Sequence, residues 1–354
     1  VRDRLLGPFG LTLHHSSFER KDVVCGLAGS FRQGARLALI EELADVTLGR
    51  PEVVSLGLAG RAGGELSTTT ELLGIETALV AAAELAKGAG CGIVSPGVVE
   101  KVCSLGPRLS DEQAEMVRHL LSSGAGVEVV VGKAGSGKTF ALEAARAAWE
   151  AEGLSVHGTA LSARAAAELE GGSGIPSRTL SGLFVALERR ELVFGHKDVV
   201  VLDEAGMVGT RSLERLTREV TKAGGKIVLV GDPRQLPEIE AGGGLGYLAR
   251  RLGALQLREN HRQTSVWERR ALDELRHGDV VAGLDAYEER GRIHLLESPG
   301  AARAAMVRHW AAHLDDAGGA RMYALRRSEI AQLNDLARGE LARRGLIGAD
   351  LVKV

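Results

Sequence analysis

The residues best placed to do chemistry lie mid-chain, in Gly132-Lys-Ala-Gly-Ser-Gly-Lys-Thr139. Gly132, Gly137, Lys138 and Thr139 fit the spacing G-x-x-x-x-G-K-[ST], and the extra Gly135, beside Ser136, leaves the loop backbone free to turn its N–H groups inward onto phosphates. Lys138 can reach the outer phosphates of a nucleotide, the Thr139 hydroxyl can ligate a magnesium ion, and a helix beginning here points its positive end at the same anion. The plain alternative is a Gly-rich turn with Lys138 in solvent. Against it stand the apolar β-branched run before the loop and the Ala-rich run after it, the context that phosphate binding requires.

Two carboxylates, Asp203 and Glu204, follow the apolar run Val199-Val-Val-Leu202. Beside a phosphate loop, Asp203 can hold the magnesium shell and Glu204 can orient or deprotonate a water for attack on a γ-phosphate. Without that loop they would read as the cap of the next helix. Gly231-Asp-Pro-Arg-Gln-Leu-Pro237 also follows an apolar run and offers Gln235 as a polar sensor of the γ-phosphate, with a Pro-bearing turn as the alternative. In Leu257-Arg-Glu-Asn-His-Arg-Gln263, Arg262 is a candidate cation for transition-state charge, an effect worth roughly 10³ to 10⁵ in rate. Charge pattern alone would leave it a solvated arginine beside Arg258, Arg269 and Arg270. Gln113 has two readings: three residues after Ser110 it completes a capping box, and before the loop it could hydrogen-bond an adenine edge. The spacing by itself favours the cap.

Positioning these groups takes a doubly wound α/β core. Strands at 127–131, 154–159, 199–202 and 226–230 alternate with helices at 140–152, 162–170, 180–191 and 210–222. Their near-continuous apolar strands imply a parallel sheet covered on both faces, with ligands at the carboxyl ends. The first hundred residues form a separate, mostly helical block. Ser16 and Glu19 are spaced as a capping box for a helix through Phe18, Val23, Val24 and Leu27, and a second helix is expected over 34–44. A hairpin joins 53–58 to 64–67, and Thr68 with Glu71 caps a helix ending near Lys87. Residues 88–107, rich in Gly, Ser and Pro, read as a boundary. Beyond Thr264, two helical runs, a strand over 292–296, a helix over 301–313, a strand over 321–325 and a helix over 328–343 suggest a second α/β unit. The expected domains are 1–106, 107–262 and 263–354.

At 354 residues the chain is long for one core, and 45% hydrophobic with 25% charged residues is ordinary globular composition. A formal net charge of −2 gives no bulk attraction to nucleic acid. Cys25, Cys91 and Cys103 are widely spaced with no C-x-x-C pair, which fits a reducing, cytoplasmic setting. His14-His15 lack a third ligand nearby, so no metal site is expected there. No apolar run approaches the roughly 20 residues that span a bilayer. Aromatic residues are 3% of the chain, so base stacking would fall to few of them, Trp267 or Tyr247, each of which also reads as core. The first residue is Val, which suggests a fragment or an alternative start.

Gly-Lys-Ala-Gly-Ser-Gly-Lys-Thr, Leu-Asp-Glu-Ala-Gly-Met, Gly-Asp-Pro-Arg-Gln-Leu-Pro and Glu-Asn-His-Arg-Gln, in that order, resemble superfamily-one DNA helicases of the RecD-like branch. The series is most similar to the helicase part of MobF-class conjugative relaxases, over roughly residues 109–341. The resemblance implies a RecA-like P-loop ATPase core and a partial second RecA-like domain, with ATP and Mg²⁺ as cofactors. It implies single-stranded DNA as partner, with conjugation or relaxosome proteins as further candidates. It also implies that Gln113 reads adenine, that 132–139 is motif I, Asp203 and Glu204 motif II, Gln235 part of motif III and Arg262 the motif IV arginine. Gly158-Thr-Ala-Leu-Ser162 matches motif Ia, whose Thr159, Ala160 and Ser162 would grip single-stranded DNA; small residues after a strand are equally good packing residues.

Two departures accompany the match. No later Gln-Gly pair after a strand and no Tyr-x-x-x-Ser-Arg motif follow, so the second RecA-like domain is expected to be cut short and hydrolysis by this chain alone to be weak. The three-histidine cluster and paired tyrosines of a nicking domain are missing as well. The leading reading is an ATP-driven DNA motor module. Its rivals are a P-loop switch without DNA coupling, and a non-translocating module that binds nucleotide and DNA or conjugation partners for positioning.

Overall fold

The computed structural model describes residues 2–60, 63–105, 109–133, 135–236, 238–315 and 320–348. Ala134 of the phosphate loop, Pro237 of the 231–237 motif, and residues 106 and 107 of the expected boundary with Arg108 after them lie outside them. The chain divides into two compact units, Val1–Thr264 and Ser265–Val354.

The first unit opens with α1 (Arg2–Leu5), α2 (Arg20–Ala28), α3 (Leu37–Leu48), the antiparallel pair β1 (Val53–Ala59) and β2 (Glu65–Thr69), and α4 (Thr70–Leu85). Phe18, Val23, Leu27, Ile40 and Ala44 make a small core of their own here. Of the two expected capping boxes the first shifts and the second gives way to a single cap. Phe18 and Ser67 exchange backbone hydrogen bonds at 2.8 and 2.9 Å, which keeps the chain extended through Phe18. Helix α2 therefore starts after Glu19, whose N–H donates to Asp22 Oδ2 at 2.8 Å. Thr69, not Thr68, caps α4 by accepting the Leu72 N–H at 3.2 Å. The second helix runs over 37–48 rather than 34–44, because Gly34 takes a left-handed φ of +77° outside it.

The stretch 88–107, expected as a boundary, holds α5 (Pro96–Leu105). Val98, Val99, Val102 and Cys103 recur at helical spacing and pack on the main core, a stripe that the Gly, Ser and Pro content hides. Then follow α6 (Asp111–Ser122), β3 (Val127–Gly132), α7 (Lys138–Ala151), β4 (Ser155–Ala160), α8 (Ala163–Ser173), β5 (Ser177–Thr179), α9 (Leu180–Glu188), β6 (Asp198–Leu202), α10 (Thr210–Lys222), β7 (Lys226–Gly231), α11 (Gly244–Leu252) and β8 (Leu255–Leu257). The six strands pair in parallel in the order β5-β4-β6-β7-β3-β8.

Successive side chains leave opposite faces of a strand. Val127, Val129 and Val131 of β3 join Val200, Ile227 and Leu229 in one layer, covered by α4, α9, α10 and α11. Val130 joins Val199, Val201, Val228 and Val230 in the other, covered by α5, α6, α7 and α8. This is the RecA-like core expected from the motifs, a parallel sheet with helices on both faces. Helix α4 belongs to the covering layer through Leu79 and Ala83, so the N-terminal region is packed into this unit.

The second unit is helical among its described residues: α12 (Val266–His277), α13 (Val280–Glu288), α14 (Pro299–Ala312) and α15 (Arg327–Arg343). The strands expected over 292–296 and 321–325 do not form there. A strand needs a neighbour to satisfy its backbone, and none of the described residues pairs with these segments, whose Leu295 and Leu325 stand 85% and 95% exposed.

Candidate functional site

Strand β3 is flanked by β7 and β8, and the chain leaves it to enter β4 beyond β6 and β7. Such a switch in strand order opens a crevice at the carboxyl ends of the strands. The loops that follow β3, β6, β7 and β8 all meet there.

The loop after β3 carries Gly135 and Gly137 at φ +81° and +73°, conformations that a side chain disfavours. Gly137 is the residue from which α7 departs. A Cβ on it would collide with the Gln113 amide, so the position is closed to side chains on two counts. Lys138 folds across the loop, its Nζ donating to the carbonyls of Gly132 at 2.8 Å and Lys133 at 3.2 Å. The Ser136 hydroxyl is buried without a hydrogen-bond partner.

Gln113 lies behind the loop, 4% exposed. Its Oε1 accepts the Ser110 N–H at 3.0 Å, completing the capping box, and its Nε2 donates to the Ser136 carbonyl at 3.1 Å. Neighbouring Glu112 takes the N–H groups of Arg258 and Glu259 on one oxygen, at 2.7 and 3.0 Å. The start of α6 thus braces two of the loops that form the site. The loop after β8 is further fixed to the phosphate loop by His261 N–H on the Gly135 carbonyl at 2.8 Å. Asn260 Oδ1 accepts the backbone N–H groups of Arg262 and Gln263, which fixes the turn that carries Arg262.

After β6, Asp203 N–H donates to the Thr159 carbonyl at 2.9 Å, and Asp203 Oδ1 accepts the Glu204 N–H at 2.9 Å. Glu204 takes φ +51°, a left-handed conformation that costs a non-glycine residue about 1–2 kcal/mol. Strain of this kind gathers at functional sites. Burial pushes the Asp203 carboxyl above its ordinary pKa, opposed by the Glu204 N–H and by Lys138. Burial also raises Glu204, with the Asp203 charge adding and Lys138 opposing. After β7, Asp232 is buried and its Oδ1 accepts the Arg234 N–H at 3.0 Å, while Gln235 Nε2 stands 3.5 Å from Asp232 Oδ2.

One cavity of about 580 Å³ collects these groups: Gly135, Ser136, Gly137, Lys138, Thr139, Asp203, Glu204, Gln235 and Arg262 all line it. A family model described as an AAA domain matches residues 108–298, which include every one of them. The chain belongs to this AAA domain family. The P-loop of an AAA domain implies a nucleotide as ligand.

The probable conjugal transfer protein TraA of Sinorhizobium fredii is 36% identical to this AAA domain chain over 282 residues, 80% of the chain and 26% of that protein. The conjugal transfer protein TraA of Rhizobium radiobacter is 37% identical over 255 residues, 72% of the chain and 23% of that protein. The ATP-dependent RecD2 DNA helicase of Deinococcus radiodurans is 30% identical over 211 residues, 56% of the chain and 28% of that protein. These are the two groups that the motif series resembles. The chain spans about a quarter of the length of these relatives.

Other site candidates of the AAA domain lie off the cavity lining. Gly132 contributes its carbonyl to Lys138, and Gln113 acts on the loop from behind. Thr159 and Ala160 are fully buried at the end of β4, and exposed Ser162 uses its hydroxyl to cap α8 through the Ala165 N–H at 3.1 Å. Trp267 meets Tyr287 edge-on at 5.3 Å and carries the Arg290 guanidinium 4.5 Å above its ring, whereas Tyr247 is 47% exposed. Sequence reasoning missed Ala165, Glu168 and His261 in the lining. Glu168 is paired with Arg164 at i,i+4, the ordinary signature of a solvated helix face. Among the described residues no His/Cys/Asp/Glu cluster of metal-binding geometry occurs, and no helix is long and apolar enough to cross a membrane.

Proposed function

We propose that the chain is the ATP-binding, RecD-like helicase or translocase module of a conjugative relaxase, coupling ATP hydrolysis to movement on single-stranded DNA. The observation that carries this reading is the convergence of Lys138, Thr139, Asp203, Glu204, Gln235 and Arg262 on one cavity. The residues suit a phosphate chain bearing Mg²⁺. The loop turns on Gly135 and Gly137 at positive φ, the buried Ser136 hydroxyl has no hydrogen-bond partner, the start of α7 adds a positive dipole end, and the Lys138 ammonium rests on carbonyls from which it can turn to phosphate oxygens. Thr139 and Asp203 supply the hard oxygen donors that Mg²⁺ prefers, and the ion, when bound, neutralises phosphate charge.

Glu204 is the general base. Burial and the Asp203 charge raise its proton affinity, which suits it to take the proton of an attacking water. Gln235 orients that water or senses the γ-phosphate, and Arg262 stabilises the charge that develops on transfer. Gln113 holds the loop in register from behind, with both ends of its amide bonded to protein, and the adenine reading that the helicase resemblance implies is the alternative role for it. Single-stranded DNA is the proposed polymer, with conjugation proteins as partners, in keeping with relatives named as a DNA helicase and as conjugal transfer proteins.

A second reading, a non-translocating module that binds nucleotide and DNA or conjugation partners for positioning, is favoured by one observation. Two of the three residues offered to DNA, Thr159 and Ala160, are wholly buried, and exposed Ser162 spends its hydroxyl on the cap of α8. ATP hydrolysis measured with and without single-stranded DNA separates the two. DNA-stimulated turnover that needs Lys138 supports the motor module, and nucleotide binding without DNA-stimulated turnover supports positioning.

A further inference from the structure

Among the described residues of the loop that carries Gln235 into the cavity, none between Asp232 and Ala241 is a buried apolar side chain. Between buried Asp232 and buried Ala241, Leu236 and Ile239 stand 73% and 72% exposed. Its far end is held instead by hydrogen bonds to the N-terminal segment. Ala241 N–H donates to the Leu13 carbonyl at 2.8 Å, His14 Nδ1 lies 2.9 Å from the Ile239 carbonyl, and Ser16 Oγ donates to the Gly242 carbonyl at 3.1 Å. The Ala241 carbonyl in turn accepts the Thr210 N–H at 2.8 Å.

Arg211 ties this strap down. It donates to both carboxylate oxygens of Glu71, at 2.9 and 2.6 Å, and to the Thr12 carbonyl and hydroxyl at 2.8 and 2.9 Å. The Arg211 and Glu71 side chains are 19% and 33% exposed, so this bidentate pair is better shielded than a surface ion pair. Thr12 is fully buried, with its hydroxyl 3.5 Å from that of Thr69, the cap of α4. One arginine at the start of α10 therefore fixes the chain immediately before the three residues that hold the Gln235 loop.

We propose that residues 12–16, clamped by Arg211, are a positioning strap for Gln235, and that the N-terminal region sets the rate of hydrolysis through it. The inference rests on reading the cavity as an ATP site. Arg211 is not among the cavity-lining residues, and its hydrogen bonds go to Thr12 of the strap and to Glu71. A loop whose place is set by backbone hydrogen bonds rather than packing can move by small steps, so a change at the γ-phosphate would also be felt at residues 13–16.

The test uses the whole chain in three forms: parent, Arg211→Met, and the double variant His14→Ala/Ser16→Ala, which leaves the Arg211–Glu71 pair intact and spares the fold. Amide hydrogen exchange and steady-state ATP turnover are read together. In both variants, exchange over 234–242 should rise and kcat should fall by about tenfold, the worth of one well-made hydrogen bond, with the KM for ATP unchanged. Arg211→Lys, which keeps the charge toward Glu71 but loses the fork, should fall between parent and Arg211→Met. In the parent, a non-hydrolysable ATP analogue should change exchange over 11–17 as well as over 232–236, and Arg211→Met should abolish the distant change. Faster loop exchange with kcat unaltered, or a nucleotide response confined to 232–236 in the parent, would overturn the strap. A parent that binds no ATP at all would instead sink the proposed function, and the strap's catalytic role with it.

Discussion

The Gln113 amide joins the Ser110 cap of α6 to the phosphate loop, accepting the Ser110 N–H at 3.0 Å on one side and donating to the Ser136 carbonyl at 3.1 Å on the other. Both ends of the amide are committed to protein. Gln113→Ala should therefore weaken ATP and GTP binding together, while costing the helix about 1 kcal/mol for the lost bond to the Ser110 N–H. Calorimetric titration with both nucleotides checks this. A loss confined to ATP would return Gln113 to adenine recognition.

Gly137 combines a φ of +73° with a Gln113 amide where a Cβ would go. Gly137→Ala should lose about 1–2 kcal/mol from the left-handed conformation alone, and more from displacing Gln113. Thermal unfolding should show the lower stability, and nucleotide affinity should drop with it. A variant as stable as the parent with normal affinity would mean that the loop is looser than its geometry implies.

Glu204 and Arg262 should separate binding from hydrolysis. Glu204→Gln should keep ATP affinity and lower kcat by about 10² to 10⁴, the usual contribution of a general base. Arg262→Ala should lower kcat by roughly 10³ to 10⁵ if its charge acts in the transition state. Single-turnover rates beside equilibrium binding decide both cases. A loss of affinity without a loss of rate would remove either residue from the chemical step.

Away from the cavity, Lys226 is fully buried, with Nζ 3.6 Å from Glu128 Oε1 and donating to the Ala125 carbonyl at 3.0 Å. Burial lowers its pKa, opposed chiefly by Glu128. In alkaline solution the folded chain then holds fewer protons here than the unfolded one. This group's contribution to stability should rise as pH climbs through the lowered folded-state pKa toward about 10.4, and be lost again as pH falls. Lys226→Met alone should destabilise by about 3 kcal/mol, because among the described residues Glu128 then keeps His119 and Ser123 but no full positive charge beside it. Lys226→Met/Glu128→Leu should recover most of that and flatten the alkaline rise. Denaturant melts from pH 7 to 10 test the sign.

The parallel sheet was legible because its strands are buried on both faces and read as unbroken runs such as Val199-Val-Val-Leu202. The loop residues at the carboxyl ends were legible because glycine, lysine and carboxylate spacing is tied to a mechanism. The three-residue strands β5 and β8 are too short to show a period, and α5 was masked by the glycines and prolines around it. Glu168 gave no signal, since it belongs to no spaced motif, and His261, though inside the Glu-Asn-His-Arg-Gln run, was overshadowed by the charge of Arg262 beside it. The links from Leu13, His14 and Ser16 to 239–242 cross more than two hundred residues, a distance at which no local pattern speaks. The segments 292–296 and 321–325 have strand-like composition, and composition cannot supply the neighbour that a strand needs.

The most direct test of the account is steady-state ATP hydrolysis by the chain with Mg²⁺, with and without single-stranded DNA, beside Lys138→Ala and Glu204→Gln. The account predicts turnover that is slow alone, rises with single-stranded DNA, and is lost in both variants. ATP should still bind to Glu204→Gln. Turnover that persists unchanged in Lys138→Ala would contradict it, because Lys138 is the cation assigned to the outer phosphates.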